Sequence, residues 1–226
     1  MIRSCRIHWT WLVGFILIAG GSPARADLSW TVSLDTSQLA TNYTGPFGLD
    51  FELVGSSGNT VTLSNFSFGG GMAGPGLAFT TGGASGALTG GVTLDDTSSF
   101  FSDFNQQFTP GGMLSFAVST TLNSGGFPDS FSMVIFREYD AVHGYDPFAG
   151  TGGTPIATTD PSGSNTFLSL DIDGQGGTIA VDYSSASGDV STTVTANAVP
   201  ELSSDVMMLF GMLSLVGALA RRRGGT

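Results

Sequence analysis

The chain contains no lysine, and its seven basic residues are all arginine. Six of them (Arg3, Arg6, Arg25, Arg221, Arg222 and Arg223) sit at the two ends. Between 27 and 199 a single arginine, Arg137, stands against sixteen carboxylates, a formal charge of −15. One cation cannot neutralise a run of phosphates, which excludes nucleic-acid binding of the usual electrostatic kind. Anionic membrane surfaces would repel the same segment. Cysteine is as scarce: Cys5 is the only one. Without a second thiol there is no disulfide framework, and 27–199 has no thiol chemistry. Histidine is limited to His8 and His143, which rules out zinc sites of the Cys/His kinds. A serine nucleophile would have His143 alone as its base, and no Gly-x-Ser-x-Gly elbow precedes a helix. The composition therefore points away from an enzyme.

Long apolar runs are confined to the ends. At the N-terminus Arg3 and Arg6 precede an apolar stretch at 11–19. Ala24 and Ala26 then supply the small residues that signal peptidase reads, predicting cleavage before Asp27. Cys5 lies ahead of the apolar stretch, so it is not a lipoprotein cysteine. At the C-terminus 206–220 is apolar with no polar face, which argues against a buried amphipathic helix. Its length as a helix is roughly 22 Å, short of a hydrocarbon core of about 30 Å. Beginning at Leu202 extends it to about 28 Å. Arg221, Arg222 and Arg223 follow, and the positive-inside rule keeps them cytoplasmic. Both ends then place 27–199 outside the cytoplasm, beyond the inner membrane.

The order Val199-Pro200-Glu201, apolar segment, arginine cluster resembles the PEP-CTERM sorting signal of Gram-negative bacteria. The family motif has a second proline where this chain has Leu202. The resemblance covers about an eighth of the chain, residues 200–226. It implies transient anchoring in the inner membrane, processing by an exosortase near Pro200, and delivery to the cell surface or extracellular matrix.

The segment 27–199 has a size suited to one domain. Short apolar/polar alternations recur between glycine turns, the pattern of an all-β, antiparallel β-sandwich of jelly-roll type. Leu28, Trp30, Val32 and Leu34 alternate with polar neighbours, and Leu49, Phe51 and Leu53 alternate with Asp50 and Glu52. Parity changes between Val61/Leu63 and Phe66/Phe68, which predicts a bulge near Ser64-Asn65. Further strands are predicted around 88–94, 114–118, 131–135, 168–172, 179–183 and 190–194, for nine or ten in all. Phe100, Phe101, Phe104 and Phe108 suggest one or two helical turns packed on a sheet edge. The glycine-rich 69–91 reads as a long loop or loose hairpin.

Three short motifs, Val32-Ser33-Leu34-Asp35-Thr36-Ser37, Thr159-Asp160-Pro161-Ser162-Gly163 and Leu168-Ser169-Leu170-Asp171-Ile172-Asp173-Gly174, resemble those of a group of PEP-CTERM-sorted extracellular proteins. That resemblance implies secretion and a β-rich domain, and carries no catalytic residue.

Candidate sites follow from chemistry. Tyr139, Asp140, His143, Tyr145 and Asp146 gather aromatic rings and carboxylates in one stretch, placed at an end of the sandwich, where they would stack on and hydrogen-bond a sugar. Asp171 and Asp173 before Gly174 resemble the opening of a calcium loop, without the third ligand and closing glutamate of an EF-hand. No other cofactor is expected. Asp95, Asp96, Asp103 and Asp129 are ordinary turn chemistry unless brought together as a glycosidase pair. The resulting expectation is a non-enzymatic exported protein, structural or adhesive in an exopolysaccharide matrix such as a biofilm or floc. Its partners would be signal peptidase, exosortase, the inner membrane and exopolysaccharide. A carbohydrate-binding module is the alternative, and a polysaccharide-active enzyme a weaker one.

Overall fold

The alternation beginning at Leu28 becomes the first strand of an all-β sandwich. A computed structural model describes residues 28–56, 58–76, 78–122, 128–139, 152–172 and 179–197. Both terminal signals lie outside the described residues, including Ala24, Ala26, Asp27, Val199, Pro200, Glu201 and the three terminal arginines. Among the described residues no helix is long and apolar enough to cross a membrane.

In chain order the strands are β1 (Leu28–Asp35), β2 (Phe47–Val54), β3 (Thr60–Ser67), β4 (Met72–Ala73), β5 (Phe79–Thr81), β6 (Ser85–Ala87) and β7 (Gly91–Asp95). They continue as β8 (Phe101–Thr109), β9 (Met113–Thr120), β10 (Asp129–Arg137), β11 (Thr154–Pro155), β12 (Leu168–Ile172), β13 (Ile179–Asp182) and β14 (Ser191–Ala196). One short helix, α1 (Leu39–Asn42), buries Leu39. The first sheet has the order β14-β1-β9-β3-β7-β6. The second runs β13-β12-β10-β2-β8-β4, with β11 also on β10 and β5 also on β8. All these pairings are antiparallel.

Period-two patterning decides the core, because one face of each strand must leave water. From the first sheet come Trp30, Val32, Leu34, Val61, Leu63, Leu114, Phe116 and Val118; from the second come Leu49, Phe51, Leu53, Phe131, Met133 and Ile135. Phe51 joins the two sheets. Its ring lies 5.7 Å from Phe116 edge-on and 6.2 Å from Phe131 in a stacked arrangement. Truncating a buried phenylalanine of this kind typically costs about 3–5 kcal/mol.

The expected bulge is present. The β3–β9 register shifts between Ser64 and Ser67, and Asn65 takes φ 57°. Asparagine tolerates that left-handed conformation better than other side chains. The extra residue returns Phe66 and Phe68 to the inner side, where they pack against the core.

Two expectations need correcting. Residues 101–109 form strand β8 rather than helical turns. Phe104 and Phe108 are buried, but Phe100 is 67% exposed. A spacing of four is a multiple of two, so Phe104 and Phe108 share a face in a strand as readily as in a helix. Residues 69–91 are not one loop: β4, β5 and β6 lie within them, and β6 with β7 forms a hairpin, the alternative expected there. Gln106 organises this stretch from inside: its Oε1 accepts from Leu88 N–H at 2.9 Å, and its Nε2 donates to Gly76 O at 3.2 Å.

Candidate functional site

An antiparallel sheet commonly packs one face on the core and leaves the other wet. Asp50 and Glu52 on β2 are therefore unremarkable as outward residues of the second sheet. What is unusual is the burial of Asp50, with Glu52 half-buried beside it. Asp50 is 1% exposed, and Asp103 on the adjacent β8 is 2% exposed. The register explains how they meet. Glu52 faces Asp103 across β2–β8 and Ser132 across β2–β10. Asp50 faces Asn105 on one side and Val134 on the other. Three carboxyl groups thus share the outer face of adjacent central strands.

Chain segments after β10 cover this face. Tyr139 lies across it, directly over Gly48, where a Cβ would come within 2.3 Å of the Tyr139 ring. Glycine at 48 is what lets the ring lie flat on the sheet. The Tyr139 hydroxyl donates to Asn105 Oδ1 at 2.5 Å, and its backbone N–H donates to Pro46 O at 2.8 Å. With Val134 and Phe136 it makes a second, smaller apolar cluster outside the main core.

Beside this cluster opens a cavity of about 520 Å³. Asp50 and Glu52 line it from β2, Ser130 and Ser132 from β10, and Ser169 from β12. The opposite wall is the turn at 160–166, and Tyr183 follows β13 at the rim. That wall is held by Asp160. Its carboxylate accepts from Ser162 N–H and Oγ–H, both at 2.8 Å, and from Thr166 Oγ1–H at 2.8 Å. Burial works against ionisation of Asp160, but the hydrogen bonds from Ser162 and Thr166 outweigh it and hold its pKa below the ordinary value. Gly163 (φ 79°) and Asn165 (φ 60°) complete the turn in left-handed conformations. The Thr159–Gly163 motif singled out in the sequence is thus a wall of the cavity.

The carboxyl group of Asp50 behaves in the opposite sense. Burial raises its pKa well above the ordinary range, and the adjacent Asp103 carboxyl and the charge of Glu52 push it further. Burial also raises the pKa of Glu52, as does Asp103, while the hydroxyl of Ser132 at 3.4 Å opposes the shift. The cavity therefore offers hydroxyls that donate and accept, one carboxylate held ionised, and carboxyls that carry a proton readily.

Comparison with protein families, with curated proteins and with solved structures finds no match to this chain.

The residues expected from sequence fare unequally. Tyr139 follows the end of β10, as expected, but it is 2% exposed and packed over Gly48 on the outer face of the second sheet rather than presented at a loop tip. Its apolar ring finds more buried area against Gly48, Val134 and Phe136 than a loop tip offers. Asp140, His143, Tyr145 and Asp146 lie outside the described residues. Asp171 is exposed at the end of β12, paired with Ile179 and Ser130, and Asp173 lies outside the described residues. Among the described residues no group of three or more His, Cys, Asp or Glu is placed to hold a metal ion. Asp95 accepts from Thr97 N–H at 2.8 Å in a local turn, and Asp129 accepts from Asn59 Nδ2–H at 2.6 Å. These two carry loop structure. Asp103 alone of the four weighed carboxylates joins the cluster, with Asp50 and Glu52, which sequence reasoning had placed only as outward strand residues.

Proposed function

We propose that this chain is an exported, exosortase-sorted protein of the extracellular matrix, and that it holds matrix polysaccharide in the cavity over its second sheet. In this reading the domain is a jelly-roll-like sandwich. The passages β1 to β2, β2 to β3, β7 to β8, β8 to β9 and β9 to β10 each lead from one sheet to the other. The signal peptide, sorting helix and arginine cluster belong to the same proposal and rest on the sequence of the ends.

The observation that supports saccharide binding is the cavity itself. Its size falls within the range of small-ligand sites, and its polar groups converge from several elements. Serine hydroxyls and carboxyls match a polyhydroxylated ligand, which needs both donors and acceptors. Tyr183 at the rim offers a ring face for a sugar to lie against. This moves the binding site from the stretch after Tyr139 to the face that Tyr139 helps to cover.

Titration of the protein recovered from outside cells against its own matrix polysaccharide tests the proposal. Asp160→Ala removes the acceptor that holds the 160–166 wall, and it should weaken binding at least tenfold. Unchanged affinity in that variant would place the saccharide elsewhere.

A further inference from the structure

The cavity has a charge demand that its described lining does not answer. Asp50 contributes to the lining at 1% exposure, and neither of its carboxylate oxygens makes a well-formed hydrogen bond to a protein donor. What lies against it is a second carboxyl, Asp103. Glu52 and Asp160 face the same space. No arginine, lysine or histidine is among the described lining residues, and the one arginine of 28–197, Arg137, is not part of it.

Resting on the saccharide reading above, we propose that the cavity selects a cationic saccharide, an amino sugar or an oligomer carrying free amino groups. An ammonium group brings three donors and a positive charge to the Asp50 carboxyl, whose nearest polar neighbour is another carboxyl. The sugar hydroxyls would meet Ser130, Ser132 and Ser169. At longer range the charge of −15 on 27–199 attracts a polycation and repels uronate or phosphate polymers. Asp50 is the independent sign of a ligand here, because its buried oxygens have no donor beyond the neighbouring Phe51 backbone N–H, and the cavity is where a further donor can arrive.

The experiment is equilibrium binding of the full chain to glucosamine oligomers with free amino groups, to the same oligomers N-acetylated, to uronate oligomers and to spermine. Wild type is compared with Asp50→Asn, Glu52→Gln and, as a control outside the cavity lining, Asp182→Asn. The expected result is binding of the free-amine oligomer, lost on N-acetylation and weakened tenfold or more by Asp50→Asn and Glu52→Gln but less than twofold by Asp182→Asn. If Asp50→Asn does not fold, Glu52→Gln decides alone. Preference for neutral or uronate oligomers overturns this inference and leaves the saccharide site standing. Equal binding of spermine, or equal weakening by Asp182→Asn, reduces the effect to general charge attraction and also overturns it. Binding of no oligomer at all removes both this inference and the proposed function.

Discussion

Asp50 shows how a residue of ordinary pattern acquires an unusual environment. Its place on the outward side of β2 was legible from the alternation with Leu49, Phe51 and Leu53. Its burial was not, because that depends on Tyr139 and the 160–166 turn, more than eighty residues further along the chain. The usable signal was the pair Asp50 and Glu52 at a spacing of two, both bound to project from one face. The environment has a consequence for stability. A carboxyl whose pKa is raised by folding binds protons more readily in the folded state, so its effect on stability falls as pH rises from the unfolded value through the folded one. Asp50 therefore costs stability at neutral pH and little at acid pH. Asp50→Asn should stabilise the domain by about 1–3 kcal/mol at pH 7, the scale for an unmatched buried polar group, with almost no gain near pH 3.5. Denaturant unfolding of both proteins at the two pH values checks this. An equal gain at both would show that the Asp50 pKa is not raised. Asp35, Asp95, Asp160 and Asp189 have lowered values and work in the opposite direction, losing their contribution as pH falls.

At the scale of elements, β13 alternates but leaves Ile179 and Val181 exposed, and the plainest strands are those with three or more alternating apolar residues that reach the core. β1, β2, β9, β10 and β12 are of this kind, and each buries the predicted side. β8 was misread because its buried positions are mixed: Ser102, Gln106 and two phenylalanines face inward together. The short strands β4, β5 and β6 were invisible for a related reason. They have few apolar anchors of their own and are organised by a polar side chain on another strand. Gln106 serves Leu88 N–H, Gly74 O and Gly76 O at once. Gln106→Ala would leave those backbone groups without their partner, at about 1–3 kcal/mol for each buried group left unmatched. Hydrogen exchange should then accelerate by tenfold or more in 79–92 while β1 and β9 keep their protection. Unchanged exchange in 79–92 would mean the glycine-rich stretch is held by something other than Gln106.

For the whole molecule, two kinds of information meet. The ends carry the reading of destination, and the domain carries the reading of activity. The intact mass of the protein outside cells separates the first from its rival. A product beginning at Asp27 and ending near Pro200 is expected, whereas one that retains 206–223 would describe a membrane-anchored protein. The second sheet's outer face is a cavity only because a sandwich that could have left that face wet has instead folded chain over it. Sequence patterning specifies which face is inner, since that follows from period two. It does not specify what later segments do with the outer one. The central claim is that this face holds a saccharide, and an amide NMR footprint of the domain in the presence of matrix polysaccharide addresses it most directly. Shifts concentrated at Asp50, Glu52, Ser130, Ser132, Ser162 and Ser169 are the predicted result. Shifts elsewhere, with those six unmoved, would contradict it.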